Sequence, residues 1–122
     1  SNPEAAQFQQ AIAGTGRTVA QTVVDEMAAR NFGEDPLGSL GVVVGATVAP
    51  GTVDLAALHG PVLAPGVGAQ GGTADDVRRV FGAAQRAVVP AVSREVLQHG
   101  PDVGALRGAV ARLVEDFAFL RA

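Results

Sequence analysis

Lysine is missing from this chain: all nine basic residues are arginine, at positions 17, 30, 78, 79, 86, 94, 107, 112 and 121. Any mechanism that needs an ammonium group must draw it from elsewhere. Cysteine is absent too, which excludes disulfides, thiolate nucleophiles and thiolate metal sites and leaves the redox compartment open. Positive charge is in short supply, with nine arginines against 12 acidic residues and a formal net charge of -3. Nucleic-acid and membrane-surface roles need a basic face, so neither is expected. No apolar run approaches a membrane span and no signal-peptide pattern opens the sequence, so a soluble, cytoplasmic protein is expected.

What the 122 residues do contain is 48% hydrophobic side chains, enough for one compact domain or a piece of a larger one. The opening "SNPEAAQFQQAIA" has Ser1 and Asn2 as caps, Pro3 at a first helical position, and Phe8 and Ile12 four apart. That predicts a helix from the first residue. A second helix is expected over Thr18 to Asn31, with Val19, Val23 and Met27 on one stripe, Val24 beside them, and Glu26 and Arg30 as an i,i+4 pair. Three short Val-rich runs, 40–47, 61–65 and 87–92, read as strands of a parallel sheet covered on both faces.

Between the second and third runs, Thr73 can cap a helix, Asp75 and Asp76 complement its dipole, and Val77, Val80, Phe81 and Ala84 form its buried stripe. A shorter helix is expected over Thr52 to Leu58 and another from Arg94 to His99. A last one runs from Asp102 towards Leu120, with Leu106, Val110, Leu113, Phe117 and Leu120 as a continuous inner face. Three parallel strands close no barrel and leave two edges open, and the pattern starts on a helix where a βα unit needs a strand. The expected architecture is therefore α/β: residues 1–122 as the C-terminal part of a (β/α)8 TIM barrel, cut just after a strand.

Glycine is concentrated in "LAPGVGAQGGT" (63–73), where four glycines surround Gln70. In (β/α)8 barrels, phosphate is often held by the loops after the seventh and eighth strands and the start of a short extra helix. Here "PGVGAQGG" follows the second run and "SRE" (93–95) follows the third. Bare backbone lets N–H groups approach an anion, Gln70 can donate from its amide, Arg94 can hold two phosphate oxygens, and a helix start at Ser93 adds donors. An isolated glycine loop reads more plainly as a tight turn; an arginine in the next loop shifts the balance to phosphate.

Other polar residues carry less. His59 and His99 have no paired ligand, so surface or capping roles are expected and no metal site. Glu34, Asp35, Arg78 and Arg79 read as solvent-facing, and Phe8 and Phe117 as helix-to-sheet packing.

Four segments, "SNPEAA", "VVVGAT", "APGVGAQGGT" and "AVSREV", in this order and spacing, resemble the C-terminal half of orotidine 5'-monophosphate decarboxylases, particularly the bacterial group with TSNP and VGAT motifs. The resemblance covers essentially the whole chain. It implies an eight-stranded barrel that dimerises through its open end and converts orotidine monophosphate to UMP and CO2 with neither metal nor organic cofactor. By it, Gln70 and Arg94 bind the 5'-phosphate of orotidine or uridine monophosphate, with the N–H groups of Gly72 and Ser93 assisting. Ser1 hydrogen-bonds the pyrimidine ring, and Pro65 and Val67 line the base pocket. The family's catalytic Asp-Lys-Asp array lies on earlier strands, with a further Asp from the partner subunit, so no catalytic residue is expected in this chain. Its expected partner is the missing N-terminal half or a second copy of itself. Two alternatives stay open: a fragment of another phosphate-binding barrel enzyme, such as a ribulose-phosphate epimerase or indole-glycerol-phosphate synthase relative, and a non-catalytic half-barrel that pairs with itself.

Overall fold

The computed structural model describes residues 3–121. Three short strands, β1 (Val42–Val43), β2 (Val62–Pro65) and β3 (Val88–Ala91), form one parallel sheet in sequence order. β1 is shorter than the apolar run that contains it, but its ladder continues: Val42, Val44 and Ala46 donate to the carbonyls of Pro61, Leu63 and Pro65 at 3.1, 3.0 and 2.8 Å. Sequential order in a parallel sheet is what a barrel segment gives, because successive right-handed crossovers stay on one side; a doubly wound sheet would reverse direction.

That handedness overturns one expectation. The sheet is covered on one face only. Val62 and Ala64 are fully buried and pack with Val88, Val24, Val77 and Phe81 in the core. On the opposite face Val43, Leu63 and Val89, aligned across the three strands, are 67%, 43% and 54% exposed. Side chains alternate along a strand, so a run of apolar residues must present half of them away from the helices. Fully burying one such side chain is worth roughly 1.5–3 kcal/mol, which makes this row a surface built to be covered.

Helix α1 is one turn, Ala6–Gln9, continuing a 3-10 turn at Pro3–Ala5, and does not extend to Ile12 as its sequence suggests. The chain reverses at Gly16 (φ 79°), Ala13 N–H donates to the Arg17 carbonyl at 2.8 Å, and Ile12 forms an antiparallel bridge with Thr18. Phe8 is left 79% exposed rather than packed on the sheet. The caps expected at Ser1 and Asn2 lie outside the described residues. Helix α2 (Val19–Asn31) starts where predicted, with the Thr18 hydroxyl accepting from Gln21 N–H at 3.1 Å. Its ion pair is Arg17 with Asp25 at 2.9 Å rather than Glu26 with Arg30.

Two buried amides on α2 organise the loops beneath the sheet. Gln21 accepts from Asp54 N–H at 2.7 Å and donates to the Asp54 carbonyl at 2.9 Å. Asn31, 1% exposed, donates to the carbonyls of Leu40 and Leu58 at 2.8 and 2.9 Å and accepts from Leu40 N–H at 3.2 Å. These contacts explain why the helix expected over Thr52 to Leu58 is a series of turns. Asp54 gives its peptide to Gln21, its carboxylate takes Ala56 N–H at 2.9 Å, and Thr52 Oγ1 donates to the Ala49 carbonyl at 2.5 Å. Side-chain and tertiary bonds thus replace the helical ladder. Leu55 and Leu58 still reach the core.

Helix α3 (Ala74–Phe81) follows its sequence closely. Thr73 and Asp76 form a capping box, Val77 and Phe81 are buried, and Val80 and Ala84 pack against them. Asp75 pairs with Arg78 at 2.6 Å and Asp76 with Arg79, while the Arg78 guanidinium lies 3.9 Å over the Phe119 ring. The Asp76 carboxyl is held below its ordinary value, first by the Thr73 hydroxyl and then by Thr73 N–H. A single turn, α4 (Arg94–Leu97), leads to α5 (Val103–Asp116), capped by Asp102. The inner face of α5 follows the expected one at Leu106 and Leu113, which are half-buried, but Ala109, buried at 4%, takes the place of Val110, which is 46% exposed. The helix stops at Asp116, and Phe117, Phe119 and Leu120 pack on the core from its last residues and a terminal 3-10 turn. Among the described residues no helix is long and apolar enough to cross a membrane.

Asn31→Ala leaves three largely buried backbone groups without partners, and a loss of roughly 3 kcal/mol is expected in urea unfolding. Thr73→Ala removes the cap of α3 at a cost of about 1 kcal/mol. Because the folded Asp76 carboxyl is depressed, its contribution is complete above the ordinary value of 3.8 and is lost as pH falls through the lower folded value. Unfolding followed across that acid window should show a shallower pH slope in Asp76→Asn than in wild type.

Candidate functional site

The C-terminal ends of β2 and β3 open onto the two loops singled out by their glycines and arginine. The first, Gly66 to Gly72, is folded on its own backbone. Gly68 N–H donates to the Gly72 carbonyl at 2.8 Å, Gly71 N–H to Gly68 at 2.7 Å, and Gly72 N–H to Gly66 at 2.9 Å. Gly66, Gly68 and Gly71 take φ of 96°, 71° and 89°, the left-handed region where a side chain is disfavoured. Gly72 is needed for a different reason. A Cβ there would lie 2.7 Å from the Gly66 carbonyl oxygen and 3.1 Å from the Ala46 side chain, so the loop seats against the residue leaving β1.

This geometry redistributes the expected roles. Gly72 is buried and its N–H is committed inside the loop, so it locks the turn rather than facing an anion. Among the described residues, the N–H groups of Ala69 and Gln70 have no acceptor within the chain and stand at the exposed tip. The Gln70 side chain folds back over the loop, with Oε1 at 3.2 Å from where a Gly66 Cβ would be, and with Pro65 it borders a cavity of about 600 Å³. Val67, expected beside that pocket, is 6% exposed and belongs to the hydrophobic core. Ser1 lies outside the described residues.

Arg94 begins α4 directly after β3 and is exposed, with no ion pair among the described residues. It differs in this from Arg17, Arg78 and Arg79, each paired with an aspartate. Ser93 precedes it with its hydroxyl making no cap bond, and α4 is four residues long. A dipole summed over so few peptides is small, so the guanidinium carries the site's positive charge.

Glu95 is the residue that sequence reasoning passed over. A Cβ built on Gly68 would lie 2.9 Å from Glu95 Cβ and 3.1 Å from its Oε2, so the side chain of Glu95 packs on bare backbone of the glycine loop. That contact holds the Gln70 loop against the element that starts at Arg94. The signal was present as the acid after Arg94 in "SRE", but only the fold shows what it touches.

His59 is exposed in the turn before β2, at the opposite end of the strands, and His99 follows α4. Among the described residues no group of three His, Cys, Asp or Glu could hold a metal ion.

The sequence model of the "Orotidine 5'-phosphate decarboxylase / HUMPS family" matches residues 1–109. Among curated proteins, the chain is 59% identical over 116 residues to the orotidine 5'-phosphate decarboxylase of Salinispora arenicola, covering 95% of this chain and 42% of that protein. It is 56% identical over 117 residues to that of Streptomyces coelicolor, with the same coverage of 95% and 42%. Among solved structures, one described as an orotidine 5'-phosphate decarboxylase from Streptomyces avermitilis matches with a TM-score of 0.91 and 53% identity, covering 100% of this chain and 43% of that one. The chain thus spans about 42% of the length of the curated relatives it matches. Its three strands and their helices are part of a larger TIM barrel in the solved relative.

Gly72→Ala forces a methyl against a carbonyl and a buried alanine, so a loss of roughly 1–3 kcal/mol is expected in urea unfolding. Gly71→Ala meets no neighbouring atom and carries only backbone strain of about 1 kcal/mol. If the two lose equally, the close approach at Gly72 is not what shapes this loop.

Proposed function

Because the chain belongs to the orotidine 5'-phosphate decarboxylase / HUMPS family, we propose that it is the C-terminal, phosphate-holding part of an orotidine 5'-monophosphate decarboxylase. The observation that carries this reading is the placement of Arg94. An exposed guanidinium without a carboxylate partner stands at the end of β3, beside a glycine loop at the end of β2. A planar fork of donors suits two oxygens of a phosphate, and an arginine already paired with an acid would not be available for it. The Gln70 amide and the N–H groups at the loop tip supply further donors. Pro65 at the cavity wall, and Ser1, serve the pyrimidine side. The Ser93 N–H, just before Arg94 at the start of α4, assists at the phosphate.

The chemistry itself requires groups from outside this stretch. In the decarboxylation, the bond between C6 and its carboxylate breaks, CO2 leaves, and the electron pair remaining on C6 takes a proton from a lysine ammonium. No lysine occurs in these 122 residues, so the proton donor and its flanking aspartates come from the rest of the barrel, and a further aspartate from a dimer partner. Holding the phosphate far from C6 contributes to the rate because binding energy gained at a remote group is used to orient and stabilise the reacting end. A cytoplasmic homodimer acting on orotidine 5'-monophosphate fits this reading.

Arg94→Ala in the enzyme reconstituted with its remaining strands should weaken binding of uridine 5'-monophosphate by about 2–4 kcal/mol, as for loss of a bidentate charged pair, while barely changing binding of uridine. Calorimetric titration of both ligands decides it: equal losses would remove Arg94 from the phosphate.

A further inference from the structure

The two loops of the proposed phosphate site leave neighbouring strands, and the sheet stops joining them at its last pair, Pro65 and Ala91. Past that pair, no backbone hydrogen bond among the described residues runs between 66–72 and 92–98. Val67 fixes the base of the glycine loop in the core. The donors at its tip, the N–H groups of Ala69 and Gln70, depend on a further contact to hold them at a set distance from Arg94.

Glu95 makes that contact. It sits in the first turn of α4 and is half-buried, while Ser93 and Arg94 beside it are exposed. Its Cβ, Cγ and Oε2 lie 2.9, 3.1 and 3.1 Å from where a Gly68 Cβ would be, so the length of the side chain runs along bare backbone. Gly68 is the residue on which the loop closes. Its N–H donates to the Gly72 carbonyl at 2.8 Å and its carbonyl accepts from Gly71 N–H at 2.7 Å, with Ala69 and Gln70 held between. On the other side, the N–H groups of Val96 and Leu97 donate to the Ser93 carbonyl at 3.1 and 3.0 Å, which joins Arg94 and Glu95 in one turn. Fixing Gly68 against Glu95 thus fixes the loop tip relative to Arg94.

The carboxylate of Glu95 makes no hydrogen bond or ion pair among the described residues. Consecutive residues of a helix do not face each other, so it leaves the Arg94 guanidinium unneutralised. What Glu95 contributes is its stem. We propose that Glu95 is a positioning residue: its stem packs on Gly68 and holds the tip donors of the glycine loop at a fixed offset from Arg94, so that both meet one phosphate monoester. Groups that grip one ligand act together only when the packing around them holds their geometry to about 0.5 Å. The inference rests on the phosphate reading of this site.

The test uses the enzyme reconstituted with its remaining strands and reads binding of uridine 5'-monophosphate and of uridine by calorimetry. Glu95→Asp keeps the charge but shortens the stem; Glu95→Gln keeps the stem but removes the charge. Glu95→Asp should weaken binding of the nucleotide roughly tenfold and leave that of uridine unchanged, as for a group that orients a ligand-binding residue. Glu95→Gln should bind both ligands like wild type. A residue that served only the stability of the fold would not separate the two ligands, so equal losses for both overturn the inference. A loss in Glu95→Gln as large as in Glu95→Asp also overturns it, because the charge rather than the stem would then be at work. Wild-type nucleotide binding in Glu95→Asp, with Arg94→Ala still weakened, removes the role of Glu95 and leaves the phosphate reading standing. Nucleotide binding unchanged in both Glu95→Asp and Arg94→Ala removes that reading and the inference with it.

Discussion

One buried amide holds the lower half of this structure in register. Asn31 closes α2 and bonds the segment entering β1, through both peptide groups of Leu40, and the turn before β2, through the Leu58 carbonyl. Gly38 and Gly60 press against it so closely that neither could carry a side chain without displacing the amide or adjacent backbone. Because a buried amide is favourable only when its partners are met, the arrangement is close to all or nothing. Gln21 repeats the device two to three turns earlier on the same helix, gripping Asp54. With α2 tied at both ends, β1 and β2 start in line and deliver their loops to the same end of the sheet.

At that opposite end the logic changes from buried amides to bare backbone and an unpaired charge. The glycine loop is held by its own peptide bonds, by Ala46 beneath Gly72, and by Glu95 against Gly68. Each of these contacts needs an absent side chain, which is why glycine recurs there. Arg94, like Arg30, Arg86, Arg107, Arg112 and Arg121, is exposed without an ion pair among the described residues, and what sets it apart is its place after β3 beside the glycine loop. A charge kept free beside shape-restricted backbone is consistent with an anion arriving from outside the chain.

The sheet itself is half a surface. Helices cover one face, while the row Val43, Leu63 and Val89 and the edge of β1 remain open. The solved relative is more than twice as long as this chain, which covers 43% of it. The apolar row and the edge of β1 are surface that this chain by itself leaves uncovered.

The sequence by itself determined the local elements whose signals are short-range. The valine runs became parallel strands, Thr73 and Asp76 capped α3, Thr18 capped α2, and the glycine loop and Arg94 fell at the ends of neighbouring strands, because propensity, capping and residue alternation act within a few positions. Where a pairing outside the regular helix or strand pattern intervened, tertiary structure decided. Asp54 gave its backbone to Gln21 and the helix over Thr52 to Leu58 did not form; Ile12 paired with Thr18 and cut α1 short. Val67 turned into the core, and Gly72 used its N–H to close a loop. None of these pairings follows from helix or strand periodicity, whether the partner is remote, as Gln21 is from Asp54, or near, as Thr18 is to Ile12, so only the folded chain could assign them.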